Sequence, residues 1–258
     1  MRDLFPPPSC SSSPPSPPAA SSPRDQGLAF LDWAVESLVR RVLRPPTLEY
    51  RVQNPKAVGL EALEVIDYSF LFINSFIEYA FALQVARFVV TTGAWSASEL
   101  GLWNTAPALF LVFAIDDAFY APTHKLMHNY RLYPYIHKHH HRQWLPARGY
   151  TDAGNEHPLE QVLGLSCLWA TLQIVARLTG LHAATIVVHF TLYAALAMLN
   201  HTGCDVRVKL PGFEYTVGAH EMHHRQPNCN MAQYFMFWDK LYGTYKEYYD
   251  GADRKKVA

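Results

Sequence analysis

All thirteen histidines of the chain lie between His124 and His224, with none in the first 123 residues or the last 34. Imidazole is the commonest metal ligand and titrates near neutrality, so a cluster of this kind is where chemistry is sought first. Three groups stand out: His124-Lys-Leu-Met-His128, His137-Lys-His-His140-His141 and His220-Glu-Met-His223-His224. Positions i, i+3 and i+4 of a helix share a side. The first group then offers two imidazoles, and each HxxHH three converging ones. His201, in Asn200-His201-Thr-Gly, makes a ninth. A single zinc site takes three or four ligands, so nine rings are too many for one ion and suit two. No cysteine lies in these groups, and imidazole serves iron, zinc, copper and nickel. Iron would support dioxygen chemistry. Zinc has no redox change and would support hydrolysis or a structural role. His139 is expected to point away from the metals, and His182 and His189 to be structural.

Acidic residues near these groups are candidates for orienting a ligand ring through its free N–H. Asp117 shares a helix face with His124 but lies about 10 Å away along the axis, too far to bind the same ion. Glu156 and Glu160 flank His157, and Glu221 sits inside the third group.

The elements that must carry these rings are apolar. Half of the 258 residues are hydrophobic, 17% are charged, and the net charge is zero. Without a basic excess, nucleic acid is not the expected partner. Four apolar segments, residues 66–90, 106–120, 161–178 and 183–199, approach or exceed the length that crosses a bilayer, about 20 residues. The connections 91–104 and 179–182 contain no Lys or Arg, whereas Arg131, Lys138, Arg142, Arg148 and Arg207 lie on the other flanks. The positive-inside bias then places both termini and the histidine groups in the cytosol. The expected fold is all-α: about four membrane helices in two hairpins, residues 66–128 and 161–201, under a cytosolic helical cap that holds a histidine-rich dimetal site. Residues 1–26, rich in Pro and Ser, read as a disordered tail. Residues 27–65 read as an amphipathic or interfacial helix and linker, 66–250 as the catalytic domain, and 251–258 as a basic tail. Lys255 and Lys256 there resemble a dilysine retrieval signal of endoplasmic reticulum membrane proteins.

The order HxxxH, HxxHH, NHxG, HxxHH resembles the fatty acid hydroxylase superfamily, which includes sterol desaturases, sterol 4-methyl oxidases and lipid hydroxylases. Asp117-Ala-Phe-Tyr120, the run Glu156-His157-Pro158-Leu159-Glu160, and Trp238-Asp239 through Gly243-Thr244 are similar to further motifs of that superfamily. The resemblance covers roughly residues 106–247. It implies a membrane-bound diiron oxidoreductase with His124, His128, His137, His140, His141, His201, His220, His223 and His224 on two iron ions. Dioxygen would be the co-substrate. Electrons would come from NADH or NADPH through a reductase or a b-type cytochrome, and the substrate would be a membrane lipid, a sterol or a fatty-acyl chain, hydroxylated or desaturated. Some members carry a further histidine four residues before His201, where this chain has Ala197. His157, Asn200 or water could fill that place, so His157 and Asn200 join Asp117 as candidate supporting residues. The alternatives are a dizinc membrane hydrolase, a zinc-stabilised protein without redox chemistry, or a non-catalytic scaffold for lipid enzymes.

Overall fold

The structure, a computed structural model, describes residues 62–248 together with Ala34, Ser37, Leu38, Arg41, Val42, Pro45, Thr47 and Leu48. The expected tail of residues 1–26, most of the 27–65 region, and the 251–258 tail with its two lysines lie outside the described residues.

Four long helices form the body: α1 (Val65–Thr92), α2 (Ala106–Met127), α4 (Pro158–Leu178) and α5 (Ala183–Asn200), with a short α3 (Tyr150–Ala153) between the second and third. Each long helix begins where its sequence offers a cap. Asp67 accepts the N–H of Glu64 at 2.6 Å at the start of α1. Pro107 stands in the first turn of α2, where an N–H would lack a helical partner anyway. His157 and His182 cap α4 and α5, each accepting a backbone N–H at 3.1 Å. Inside α2, Pro122 cannot bond back to the Ala118 carbonyl, and the Tyr242 hydroxyl donates to that carbonyl instead at 3.3 Å.

Of the four, α1, α4 and α5 are long and apolar enough to cross a membrane. The adjacent Asp116 and Asp117 take α2 out of that class. Large apolar side chains on the outer faces, among them Phe72, Phe76, Leu83, Val90, Val187 and Leu192, are exposed. In water that surface would be an interaction liability; in lipid it is the solvated face. Among the four long helices the closest packing is between α2 and α4, followed by α1 with α4 and α2 with α5. The partners of the two hairpins expected from the sequence, α1 with α2 and α4 with α5, are therefore not the tightest pairs. The reason is that α4 inserts between α1 and α2, burying Phe81, Val85, Val112, Leu168 and Leu172 in one core.

The two connections without Lys or Arg meet at one end of the bundle. Ala94 pairs with Leu181 and Ala183 through main-chain hydrogen bonds of 3.3 and 2.9 Å, and Thr185 donates to the Asn104 carbonyl at 2.8 Å. The C-terminal ends of α2 and α5 lie at the opposite end and carry His124 and His201. The all-α expectation needs one addition there: an antiparallel hairpin, β1 (Arg207–Leu210) and β2 (Phe213–Thr216), pairs Arg207 with Thr216 and Leu210 with Phe213. It leads into α6 (Val217–Arg225), and α7 (Met236–Tyr242) closes the cap, ending at Gly243 with φ +69°.

Candidate metal centre

The structure brings all nine singled-out histidines together, but in two sets. His124, His128, His137, His141 and His223 form one, and His140, His201, His220 and His224 the other; within each, the nitrogens lie within 4.8 Å of one another. The sets adjoin, with the rings of His141 and His224 centred 4.7 Å apart. This corrects the expectation that each HxxHH points three rings at one place. On α6, His220 and His224 are four residues apart and face the same way, while His223 is turned about 100° from His224 and joins the other set. Residues 137–141 are not an α-helix but turns running into a 3₁₀ turn, His140–Arg142. There too the i, i+4 pair His137 and His141 stays together and His140 departs.

The ring nitrogens are close. Nε2 of His137 lies 2.9 Å from Nε2 of both His124 and His141. Nε2 of His223 lies 3.0 Å from that of His141 and 3.3 Å from that of His128. In the second set, Nε2 of His220 is 3.1 Å from those of His201 and His224. Ligand bonds of about 2.1 Å place neighbouring donor atoms about 3.0 Å apart at an octahedral ion and about 3.4 Å apart at a tetrahedral one. The observed spacings fall in and around that range.

Proton accounting strengthens the fit. The Nδ1–H of His124 donates to the Met231 carbonyl at 2.8 Å, that of His223 to the Cys229 carbonyl at 2.7 Å, and that of His201 to the Ala197 carbonyl at 2.8 Å. The Nδ1–H of His137 donates to Glu160 at 2.6 Å. A neutral imidazole carries one ring proton. With Nδ1 protonated, each of these rings turns a bare lone pair inward. Lone pairs of His124 and His137 then oppose each other at 2.9 Å, an arrangement that a cation between them stabilises. Burial, reinforced by neighbouring rings, pushes the pKa of His141 down to about 3 and holds those of His137, His140, His220, His223 and His224 well below the ordinary 6.5. Neutral rings at pH 7 are the form that binds metal.

The supporting residues are corrected in part. Asp117 orients no imidazole: its carboxylate accepts the backbone N–H groups of Gln233 at 3.0 Å, Tyr234 at 2.8 Å and Phe235. Asp239 does the same one step upstream, taking the N–H groups of Met231 at 2.6 Å and Ala232 at 3.0 Å. The two aspartates fix the loop whose Met231 carbonyl holds His124. A carboxylate accepting several main-chain N–H groups is a loop anchor, which spacing along α2 alone cannot reveal. His157 belongs to neither set; as the cap of α4 it spends Nδ1 on Leu159 and packs against Phe70. Asn200 is buried beside His201, and its amide donates to the Gln233 carbonyl at 3.3 Å. Glu160 is the side chain that does support a ring of the first set. Glu156 lies beside it, and burial raises both carboxyl groups above the ordinary carboxylate range, Glu160 well above it. His139 turns away, to Asp67 at 2.9 Å and Asn155 at 3.0 Å. His189 is buried against Phe113, outside both sets.

A cavity of about 410 Å³ opens beside the rings, within the usual size of small-molecule sites. Its walls include His124 of the first set and His140, His201 and His220 of the second, and it runs down to Phe81, Leu168 and Phe190 between the helices. A lipid chain entering it would pass from apolar walls to the histidines.

A model of the fatty acid hydroxylase family matches residues 108–244, more than half of the chain. The chain belongs to that family. It is 30% identical over 152 residues to a C-4 methylsterol oxidase of Schizosaccharomyces pombe, an alignment covering 57% of this chain and 50% of that protein. Methylsterol monooxygenase 1 of Rattus norvegicus is 27% identical over 164 residues, 60% of this chain and 54% of the relative. Cholesterol 25-hydroxylase of Rattus norvegicus is 29% identical over 171 residues, 61% and 55%. The chain thus spans about half the length of the curated relatives it matches. No solved structure matches.

Proposed function

We propose that the protein is a membrane-bound oxygenase that holds two iron ions, one in each histidine set, and uses dioxygen and two electrons to hydroxylate or desaturate a lipid, a sterol or a fatty-acyl chain. The observation that carries this reading is the pair of adjoining imidazole sets opening on a single cavity with apolar depth. The relatives' names, methylsterol oxidase and cholesterol hydroxylase, agree with it. Bound iron would supply the redox change that dioxygen chemistry needs and that zinc lacks.

The chain's own residues have definite tasks in this reading. His124, His128, His137, His141 and His223 hold one ion, and His140, His201, His220 and His224 the other. Main-chain carbonyls of Met231, Cys229 and Ala197 and the Glu160 carboxylate fix ring orientation and leave each Nε2 free to bind. Phe81, Leu168 and Phe190 seat an alkyl or ring system and exclude water from the face it covers. Electrons would arrive from NADH or NADPH through a reductase or a b-type cytochrome on the histidine side. We place that side and both termini in the cytosol, in the endoplasmic reticulum membrane, because the connections free of Lys and Arg gather at the opposite end.

The test is isotopic. Cells expressing the chain are grown under ¹⁸O₂ and their lipids compared with those of cells carrying His223→Ala or His224→Ala. A lipid product that carries one ¹⁸O, or two fewer hydrogens, and disappears in both variants is expected. Undiminished product in either variant, or a product formed without dioxygen by zinc-loaded protein, would overturn the reading, the latter in favour of a hydrolase.

A further inference from the structure

We infer that the cavity contains a built anchor for a lipid hydroxyl, made by Glu78, Tyr150 and Gln161. This rests on the oxygenase reading above and chooses, within it, a lipid alcohol over a fatty-acyl chain. Glu78 lies in the middle of α1, a helix apolar and long enough to cross a membrane, where an ionisable side chain is costly and is retained for a function. It also lies outside residues 108–244, the part shared with the family. Its carboxylate faces the cavity and accepts the Tyr150 hydroxyl at 2.5 Å and the Gln161 side-chain amide at 3.3 Å.

Three elements, α1, α3 and α4, thus bring one polar group each to a single spot on the wall. Phe81, Ala82 and Leu165, about one helical turn from Glu78 or Gln161, line the same cavity. A carboxylate has about four lone-pair positions, and two are used by Tyr150 and Gln161. Acceptor capacity remains, aimed at the cavity that His124, His140, His201 and His220 also line. The ligand group that fits is a donor. A fatty-acid carboxylate has no donor and sets acceptor against acceptor. A plain hydrocarbon leaves the carboxylate without its third partner. A hydroxyl donates one proton and keeps the rest of the lipid apolar, matching the Phe81, Leu165, Leu168 and Phe190 part of the wall. Glu78 is on this reading a specificity residue: it holds the substrate hydroxyl while the histidine sets act on another carbon.

The experiment uses the full chain in lipid nanodiscs, stripped of metal so that binding is separated from turnover. The probes are radiolabelled cholesterol against cholestane, which has the same skeleton without the hydroxyl, and hexadecanol against hexadecane; sphinganine and palmitate complete the set. In the wild type the alcohol of at least one pair should bind about tenfold or more tightly than its deoxy partner, the effect of a hydrogen bond to a charged group. Glu78→Ala should bring that ratio near one while leaving the deoxy partner's affinity unchanged, and Glu78→Gln, which keeps an acceptor, should give an intermediate ratio. If Glu78 only ties α1 to α4, both members of a pair weaken together and the ratio stays as in the wild type; that result overturns the proposal. So does a wild-type ratio near one in both pairs, failure of all alcohols to bind, or preference for palmitate over the alcohols. Iron content and ¹⁸O incorporation are measured separately. Their loss with the alcohol preference intact would sink the oxygenase reading and leave the anchor standing.

Discussion

Among the described residues, Glu160 is the one side chain outside the set that holds a ring of the five-histidine set from behind, so its removal tests whether that set is a metal site. Its carboxylate accepts the Nδ1–H of His137 at 2.6 Å, and the two side chains are 2% and 1% exposed, so water cannot take over the contact. A buried N–H left without its hydrogen-bond partner costs about 1–3 kcal/mol. Loss of the partner behind a ligating histidine weakens metal binding about 10- to 100-fold, which converts to about 1.4–2.7 kcal/mol; the two ranges agree. Glu160→Gln keeps an acceptor for the N–H and should sit at the low end. Glu160→Ala leaves the N–H without a partner and should reach the high end. The assay is iron per chain by mass spectrometry after dialysis against graded chelator. Wild type should hold two ions through the series. The variants should release one early and keep the other, because the four-histidine set has its own support at His201 from the Ala197 carbonyl. Two ions retained in Glu160→Ala with unchanged chelator resistance would refute the assignment. Equal loss of both ions from a folded variant would refute the separation into two sites.

The remaining predictions are briefer. His223→Ala should empty the five-histidine site and His224→Ala the four-histidine site, each leaving about one iron per chain by the same measurement. Asp117→Ala strips three buried or half-buried main-chain N–H groups of their acceptor. At about 1 kcal/mol or more each, it should destabilise the protein by about 3 kcal/mol or more in thermal unfolding, with weakened iron binding as the Met231 loop loosens. For pH, rings held neutral in the fold with folded pKa values below 6.5 stabilise it fully above pH 6.5. That contribution is lost as pH falls from about 6.5 toward the value of about 3 at His141. The melting temperature of metal-free protein should therefore drop on acidification across that window; a flat profile would contradict the buried neutral rings. Ser98→Cys and Lys138→Cys should be labelled by a membrane-impermeant thiol reagent from opposite faces of sealed vesicles, and labelling from one face would refute the proposed topology.

The spacing of the histidines was enough to identify the nine rings that converge, because i, i+4 geometry is local and the groups flank apolar segments that must pack. It was also enough to set His139, His182 and His189 apart. Family membership could be read from the same motifs, and the family match over residues 108–244 bears that out. Spacing did not reveal how the rings divide. Whether His140 joins His141 or leaves it depends on a 3₁₀ turn and on where α5 and α6 bring His201 and His220, which are contacts between distant parts of the chain. The roles of Asp117 and Asp239 were hidden for the same reason: both serve the loop around residues 231–235, and for Asp117 that loop is more than 100 residues away.

Sequence alone thus determined composition-level facts and local periodicities: apolar helices, the charge bias between their two ends, and which imidazoles are chemically equipped to meet. Only the tertiary structure decided that α4 packs between α1 and α2, that nine rings sort into five and four, and that Glu78 reaches a cavity beside them. Local signals are written in neighbours a few residues apart. Helix order and cavity walls instead come from burying apolar faces against whichever distant helix fits them, and that choice is made by the whole fold.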